Sequence, residues 1–323
     1  MGAEDVARMV EAIEEAARKI ERMEIRGAAR IAKFAAETLK LCAENVKTFK
    51  EVEWAAERLL KTRPTAVSLY NAINFVMRCE GLEGVESEAE KLECVRKRAE
   101  EFIEWVDTAQ KRIGEIGAKR VKNNAVIMTH CNSSAAIAII SEAFRQGKVA
   151  AVFATESRPR YQGHLTAKQL KELGVDVTLI VDSAVRYFIE DVDYVIVGAD
   201  TITVNGALIN KIGTSQIALA AKEARVPFMV AAETYKFSPK TLLGELVEIE
   251  ERSGEEVAPK ELLELGIKVR NPAFDATPRD YIDLIITEVG AIPPEMAYLI
   301  IRDRLGYAEL WEDEIRLSPN HFD

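Results

Sequence analysis

Five short apolar runs in the second half of the chain each end in residues that can do chemistry. Ala125–Thr129 is followed by His130-Cys131-Asn132-Ser133-Ser134, and Val149–Ala154 by Thr155-Glu156-Ser157-Arg158-Pro159-Arg160. Val177–Val181 leads to Asp182-Ser183, Tyr194–Val197 to Gly198-Ala199-Asp200-Thr201, and Phe228–Ala232 to Glu233-Thr234-Tyr235-Lys236. A thiol just before a helix that starts near Ser134 would sit in the field of unpaired N–H groups, which favours the thiolate and so a base or nucleophile. A buried structural cysteine accounts for Cys131 equally well. Asp200 follows the apolar run VIVGA, and a carboxyl in such a wall holds its proton longer and can act as an acid. Its alternative reading is a cap on the turn to Thr201. His130, one position before Cys131, should face the other way and reads as structural.

Further on, Asn205-Gly206-Ala207-Leu208-Ile209-Asn210-Lys211-Ile212-Gly213-Thr214 reads as a turn followed by a helix start capped by Thr214. Asn210 and Lys211 would then face the same strand-end edge, with a lysine beside a helix N-terminus suited to phosphate. The sequence contains no GxxxxGK[ST], no GxGxxG after a strand and no HExxH, so a P-loop, a dinucleotide fingerprint and a zincin site are not expected.

These residues need a scaffold, and the apolar pattern supplies one. The runs, with Leu284–Thr287 as a sixth, are apolar at both alternating positions, as strands covered on both faces must be. Amphipathic segments such as Ser134–Gln146 and Ser215–Ala224 lie between them. Strand–helix alternation predicts a parallel α/β sheet, whose ligands bind beyond the carboxyl ends of the strands. The first part differs. It is rich in Ala, Glu, Lys, Arg and Leu, with apolar residues at helical spacing, as in Val6, Met9, Val10, Ile13, Ala17 and Ile20. About five helices are expected there, one of them over roughly Ser87 to Ile116. The predicted fold is α/β: an N-terminal helical domain, 1–121, then a Rossmann-like, mostly parallel sheet domain, 122–323.

Composition narrows the partners. The 323 residues carry 43 Lys and Arg against 53 Asp and Glu, a net charge of −10. That argues against nucleic acid or a membrane surface as partner, and aromatics at 7% leave few stacking platforms. No run approaches the ~20 apolar residues of a membrane span, and the charged N-terminus lacks a signal-peptide core. Of the four cysteines, Cys42, Cys79 and Cys94 fall in helical pattern and Cys131 at a strand end, with no CxxC pairing. Reduced structural thiols in a cytoplasmic protein are the expectation.

Several ordered strings together resemble one superfamily. They are Ile25-Arg26-Gly27-Ala28, Thr62-Arg63-Pro64-Thr65-Ala66-Val67, Thr129-His130-Cys131-Asn132, Glu156-Ser157-Arg158-Pro159-Arg160-Tyr161-Gln162-Gly163, Gly198-Ala199-Asp200 and Asn210-Lys211-Ile212-Gly213-Thr214. The superfamily holds methylthioribose-1-phosphate isomerases, ribose-1,5-bisphosphate isomerases and the regulatory subunits of translation initiation factor 2B. Those subunits generally lack the cysteine–aspartate pair. Methylthioribose-1-phosphate isomerases usually follow the cysteine with Asn-Ala-Gly and carry extra strand-forming sequence in the first half. This chain has Cys131-Asn132-Ser133-Ser134 and a helical first half, and so looks most like the archaeal ribose-1,5-bisphosphate isomerases. Those act in nucleoside monophosphate (AMP) breakdown. The alternatives are a methylthioribose-1-phosphate isomerase and a non-catalytic subunit of the initiation-factor kind.

The resemblance implies that Cys131 removes the C2 proton and that Asp200 is the acid. It implies phosphate binding by Arg26 and Arg63, with Gly27 and Ala28 beside them, in a cleft between the domains. Ser133 and Ser134 offer hydroxyls and N–H groups, Asn210 and Lys211 bind substrate oxygens, and Lys236 binds a phosphate. Arg158 and Gln162 are secondary candidates. The implied partner is a small sugar bisphosphate, with no metal and no cofactor. Family members are homo-oligomers built from dimers, some of them hexamers. The segment from Ile292 to Trp311, with Tyr298, Leu299, Ile300 and Ile301, could be core or interface.

Overall fold

The computed structural model describes residues 3–25, 27–79, 87–243 and 247–305. The chain divides into two compact units, 1–109 and 110–323. The sequence boundary at 121/122 lies twelve residues later than the one observed (121 − 109). The reason is a long helix that runs through the division. Its last turns carry Gly114 and Gly117, where an added Cβ would fall 2.9 Å from the Ala138 carbonyl oxygen and 2.5 Å from Ile139, so that end packs on the next helix of the second unit.

The helical unit is built from α1 (Ala3–Glu21), α2 (Ala28–Asn45), α3 (Phe49–Leu60), α4 (Val67–Met77) and the first part of α5 (Glu88–Ala118). Each buries a stripe at three- and four-residue spacing: Ile13, Ala17 and Ile20; Ala32, Ala35, Ala36 and Leu39; Val52, Ala55, Ala56 and Leu59; Leu69, Ala72, Ile73 and Val76. Val10, counted in the sequence pattern, is exposed. Thr48 and Glu51 form a capping box that starts α3. Cys79 lies just past α4 rather than on a helix and is disulfide-bonded to Cys94 of α5, with Cα atoms 6.1 Å apart. This corrects the expectation of reduced thiols for both: a fifteen-residue spacing does not reveal that two chain segments meet. Cys42 is unbridged and buried on α2, and burial pushes its thiol up to about 12.

In the second unit the chain runs through β1 (Ala125–Thr129), α6 (Ser134–Arg145), β2 (Val149–Thr155), α7 (Gln162–Glu172), β3 (Val177–Ile180), α8 (Val185–Phe188) and β4 (Tyr194–Gly198). It continues through β5 (Thr201–Ile202), β6 (Leu208–Lys211), α9 (Thr214–Ala224), β7 (Phe228–Ala231), α10 (Lys260–Glu264), β8 (Phe274–Thr277), β9 (Leu284–Thr287), β10 (Gly290–Ile292) and α11 (Ala297–Arg304). The main sheet has the order β10-β9-β7-β4-β1-β2-β3, parallel except for β10. Alternating strand residues enter two cores. Met128, Val195, Val197, Phe228, Val230 and Ile285 pack with α8, α9 and α11, while Ile127, Ile196, Met229, Ala231 and Ile286 pack with α6, α7 and the end of α5. Two covered faces explain the apolar runs. Ile300 and Ile301 are buried in the first of these cores; Trp311 lies outside the described residues.

Four strands were not expected from the sequence. β10 pairs with the edge strand β9, and β5, β6 and β8 form a separate antiparallel sheet of order β5-β6-β8. The stretch read as a turn before a helix is therefore a strand, β6, that carries Asn210 and Lys211. Among the described residues no helix is long and apolar enough to cross a membrane.

Candidate active site

The strand order reverses between β1 and β4, because β1 is followed outward by β2 on one side and by β4 on the other. A crevice opens beyond the carboxyl ends of two such strands. Cys131 follows β1 and Asp200 follows β4.

The backbone around Cys131 is held from several sides. Cys131 has a φ of 66°, the left-handed region that non-glycine residues rarely enter. Its N–H donates to Ser157 Oγ at 2.7 Å, and its carbonyl accepts from the Thr166 hydroxyl at 2.7 Å. Ser157 is itself left-handed, at φ 59°. The Ser157 and Arg158 N–H groups donate to the two oxygens of Asp182 at 2.8 and 2.7 Å. His130 is buried beneath this turn. Its Nε2 donates to the Ile212 carbonyl at 2.9 Å, and its Nδ1 accepts from the Thr155 hydroxyl at 2.6 Å. A carbonyl only accepts, so this geometry selects the Nε2–H tautomer. Burial pulls the His130 pKa down, so the ring is a neutral strut joining β1, β2 and the turn after β6.

Burial also acts on Cys131, where it pushes the thiol up to about 11. The Lys211 ammonium works against that shift, the Asp200 carboxylate reinforces it, and the Asn132 N–H and the Arg252 guanidinium oppose it more weakly. Asp200 and Lys211 are therefore both within electrostatic reach of Cys131. Among these influences desolvation is the largest, although Cys131 itself is only half-buried. Ser133 is the N-cap, its hydroxyl accepting from the Ala136 N–H at 3.3 Å, while the Ser134 hydroxyl accepts from Gln110 at 2.9 Å. Gly198, at the end of β4, makes room for that cap: a Cβ there would lie 2.1 Å from Ser133 Oγ.

On β6, Asn210 and Lys211 are both buried. Asn210 donates to the Thr214 hydroxyl at 3.0 Å. Lys211 Nζ donates to the Ala273 carbonyl at 3.2 Å and sits 4.9 Å from the centre of the Phe274 ring. Gly213, not Thr214, is the N-cap of α9. The N–H groups at that end go to Asp275, which accepts from Gly213 at 2.7 Å and from Ser215 at 3.1 Å. The helix end expected to serve a phosphate is thus taken by a carboxyl. Burial pushes Asp275 up to about 6, with those two N–H groups and Lys211 pulling the other way. Lys236, beyond β7, is buried with its Nζ 2.6 Å from Glu233 Oε2. Next to them Glu288, beyond β9, accepts from the Thr234 N–H at 3.1 Å.

In the helical unit, Gly27 is the N-cap of α2 with φ 90°, a conformation that suits glycine, and an added Cβ there would meet nothing within 4 Å. The Ala28 carbonyl accepts from the Ser68 hydroxyl at 3.0 Å, and the Arg63 carbonyl, in the turn before α4, accepts from the Ala66 N–H at 3.0 Å. Arg26 lies outside the described residues. Arg158 donates to the Tyr161 hydroxyl at 2.7 Å, and Gln162 opens α7.

A family model described as the initiation factor 2 subunit family matches residues 24–294. The chain belongs to that family. The match takes in every site residue named above, from Arg26 to Glu288. The chain is similar to a ribose 1,5-bisphosphate isomerase of Archaeoglobus fulgidus, 69% identical over 317 residues, which is 97% of this chain and 100% of that protein. It is 56% identical over 303 residues to a ribose 1,5-bisphosphate isomerase of Methanocaldococcus jannaschii, covering 92% of this chain and 96% of the other. Among solved structures, the translation initiation factor eIF-2B of Pyrococcus horikoshii OT3 superposes with a TM-score of 0.76 at 33% identity, over 87% of this chain and 97% of that one.

Sequence reasoning missed Asp275 beside Lys211 and did not assign Asp182 or Ser157 a role. Asp182 was legible as the residue that ends an apolar run. Asp275 was hidden in Asn271-Pro272-Ala273-Phe274-Asp275, which reads as loop and becomes β8 only by pairing with β6.

Proposed function

We propose that this chain is an aldose–ketose isomerase that converts ribose 1,5-bisphosphate to ribulose 1,5-bisphosphate, in the breakdown of nucleoside monophosphates such as AMP. The observation that supports it most is the meeting of Cys131, Asp200 and Lys211 at the strand-order reversal, in a chain so similar over its length to proteins of that name. In this reading Cys131 is the base and Asp200 the acid. Arg26, Gly27, Ala28, Arg63, Ser133, Ser134, Asn210, Lys211 and Lys236 hold the substrate. The enzyme is cytoplasmic and assembles from dimers.

The C1 oxygen of the substrate carries a phosphate, so the sugar cannot simply open to an aldehyde. Sγ takes the C2 proton, the C2–H electron pair becomes a C1=C2 double bond, and the bond from C1 to the ring oxygen breaks. The ring oxygen takes a proton from Asp200. Asp200, now a carboxylate, takes the C2 hydroxyl proton as Sγ returns its proton to C1, which leaves the ketone and resets both groups. The base must start as a thiolate, yet burial favours the thiol. The Lys211 ammonium opposes that effect of burial and draws the thiol toward the thiolate. Lys211 stabilises the thiolate so formed.

The deciding assay offers ribose 1,5-bisphosphate and methylthioribose 1-phosphate side by side. Turnover of the bisphosphate is expected. A preference for the methylthio sugar overturns the substrate assignment. No turnover of either, with initiation factor 2 recovered in a pull-down, overturns the enzymatic reading.

A further inference from the structure

Cys131, Ser157 and Asp182 each stand two residues beyond the end of a strand, β1, β2 and β3 in turn. Those strands are neighbours in the sheet, and the three residues are joined in a row along its carboxyl edge. Asp182 accepts the Ser157 N–H on one oxygen at 2.8 Å and the Arg158 N–H on the other at 2.7 Å. Ser157 is fully buried, and its Oγ accepts the Cys131 N–H at 2.7 Å. The row runs from the edge strand β3 to β1, where the strand order reverses.

Cys131 needs such a hold. Its φ of 66° costs a residue with a Cβ roughly 1–2 kcal/mol, and such a backbone persists only where its surroundings fix it. The peptide groups on either side of its Cα are both held by hydroxyls: the N–H by Ser157 and the carbonyl by Thr166, each at 2.7 Å. With both peptides fixed, the direction of the Cα–Cβ bond that carries Sγ is fixed too. Ser157 is strained in the same sense, at φ 59°, and there a carboxylate spans two successive N–H groups, an arrangement in which backbone donors converge on one anion. The Ser157 hydroxyl also lies 3.3 Å from Thr155 Oγ1 and from His130 Nδ1, so the buried strut supports it from below.

We propose that Ser157, locked by Asp182, is a positioning residue for Cys131: it aims Sγ at the carbon whose proton is removed, without itself touching the sugar. This rests on the isomerase reading for the identity of that carbon. Proton transfer needs an approach at hydrogen-bond length, and a misplacement of about 1 Å costs on the order of a hundredfold in rate. Removing the Ser157 hydroxyl leaves the Cys131 N–H unmatched and lets the turn relax toward the backbone that a residue with a Cβ prefers. Lys211 and Lys236 stand on other segments and keep their places, so chemistry should suffer more than binding.

The test uses S157G, D182N and the double variant of the full chain. Glycine accepts the left-handed backbone at this position and removes only the side chain, so S157G isolates the bond to Cys131 from strain at Ser157 itself. With ribose 1,5-bisphosphate, S157G should lower kcat by roughly a hundredfold and leave KM within about threefold of wild type. D182N exchanges one acceptor oxygen for an NH2 donor and should lower kcat by roughly tenfold. The double variant should be no slower than S157G, because Asp182 acts through Ser157. In crystals of S157G, Sγ should lie about 1 Å or more from its wild-type position. A wild type that ignores ribose 1,5-bisphosphate, with Sγ displaced in S157G, removes the isomerase reading and keeps the positioning role. An active wild type matched by S157G in kcat overturns the role of Ser157 and leaves the isomerase standing. A KM that rises as far as kcat falls overturns it as well, since the whole site has then been lost. Losses that multiply in the double variant overturn the link from Asp182 through Ser157. If S157G does not fold, S157A decides: a kcat equal to wild type overturns the proposal.

Discussion

At Cys131, desolvation pushes the thiol up to about 11, with Asp200 acting alongside it and the Lys211 ammonium, the Asn132 N–H and the Arg252 guanidinium pulling the other way. The rate of alkylation of this thiol should therefore climb about tenfold per pH unit from pH 8 upward and level off only near about 11. A plateau by pH 7, read from mass spectrometry of the labelled peptide, would mean that the cations dominate instead. C131S and D200N should each lower kcat by roughly a hundredfold or more while leaving the melting temperature nearly unchanged. Reaction in heavy water should place deuterium at C1 of the product if Sγ exchanges its proton with solvent. Product without deuterium would favour a direct hydride shift.

The turns that carry these groups depend on close contacts between elements. Gly198 ends β4 directly under the Ser133 cap of α6, where a Cβ would come 2.4 Å from Ser133 Cβ. G198A should cost about 1–3 kcal/mol and part of the activity, and S133G in the same chain should restore stability by emptying that space. Asp275 caps α9, so D275A should cost about 0.5–2 kcal/mol in thermal or denaturant unfolding. Its pH dependence has a definite sign. The folded carboxyl, at about 6, lies above its ordinary 3.8, so the native state binds this proton more tightly than the unfolded chain does. Its contribution to stability is full below about pH 4 and is lost as pH rises through 6. Wild type should accordingly lose stability relative to D275N between pH 4 and 7.

For the whole chain, the two units answer to different stabilising devices. The α/β unit has a sheet sealed on both faces. The helical unit packs small side chains, many of them alanine, and adds the Cys79–Cys94 disulfide across a separation of fifteen residues. Closing a loop of that size is worth about 3 kcal/mol in the chain-entropy account. Intact mass should show the bond, and a C79S/C94S double variant should unfold at lower temperature than wild type under non-reducing conditions. Equal unfolding temperatures would show that the helical packing needs no staple.

The sequence by itself determined the helix-then-sheet order, both edges of β1 and β9, and the placing of Cys131 and Asp200 at strand ends. Those are local matters: apolar periodicity reports burial, and a strand's direction decides where its last residue lies. The tertiary structure decided what depends on segments far apart in the chain. β6 pairs with β8, whose partner residues lie 63 to 69 positions further on (274 − 211, 277 − 208), and that pairing hands the α9 end to Asp275 rather than to a phosphate. The protonation of Cys131 follows the same logic. Helix ends are visible in a sequence, but desolvation is the sum of everything packed around an atom, and only the folded chain supplies that sum.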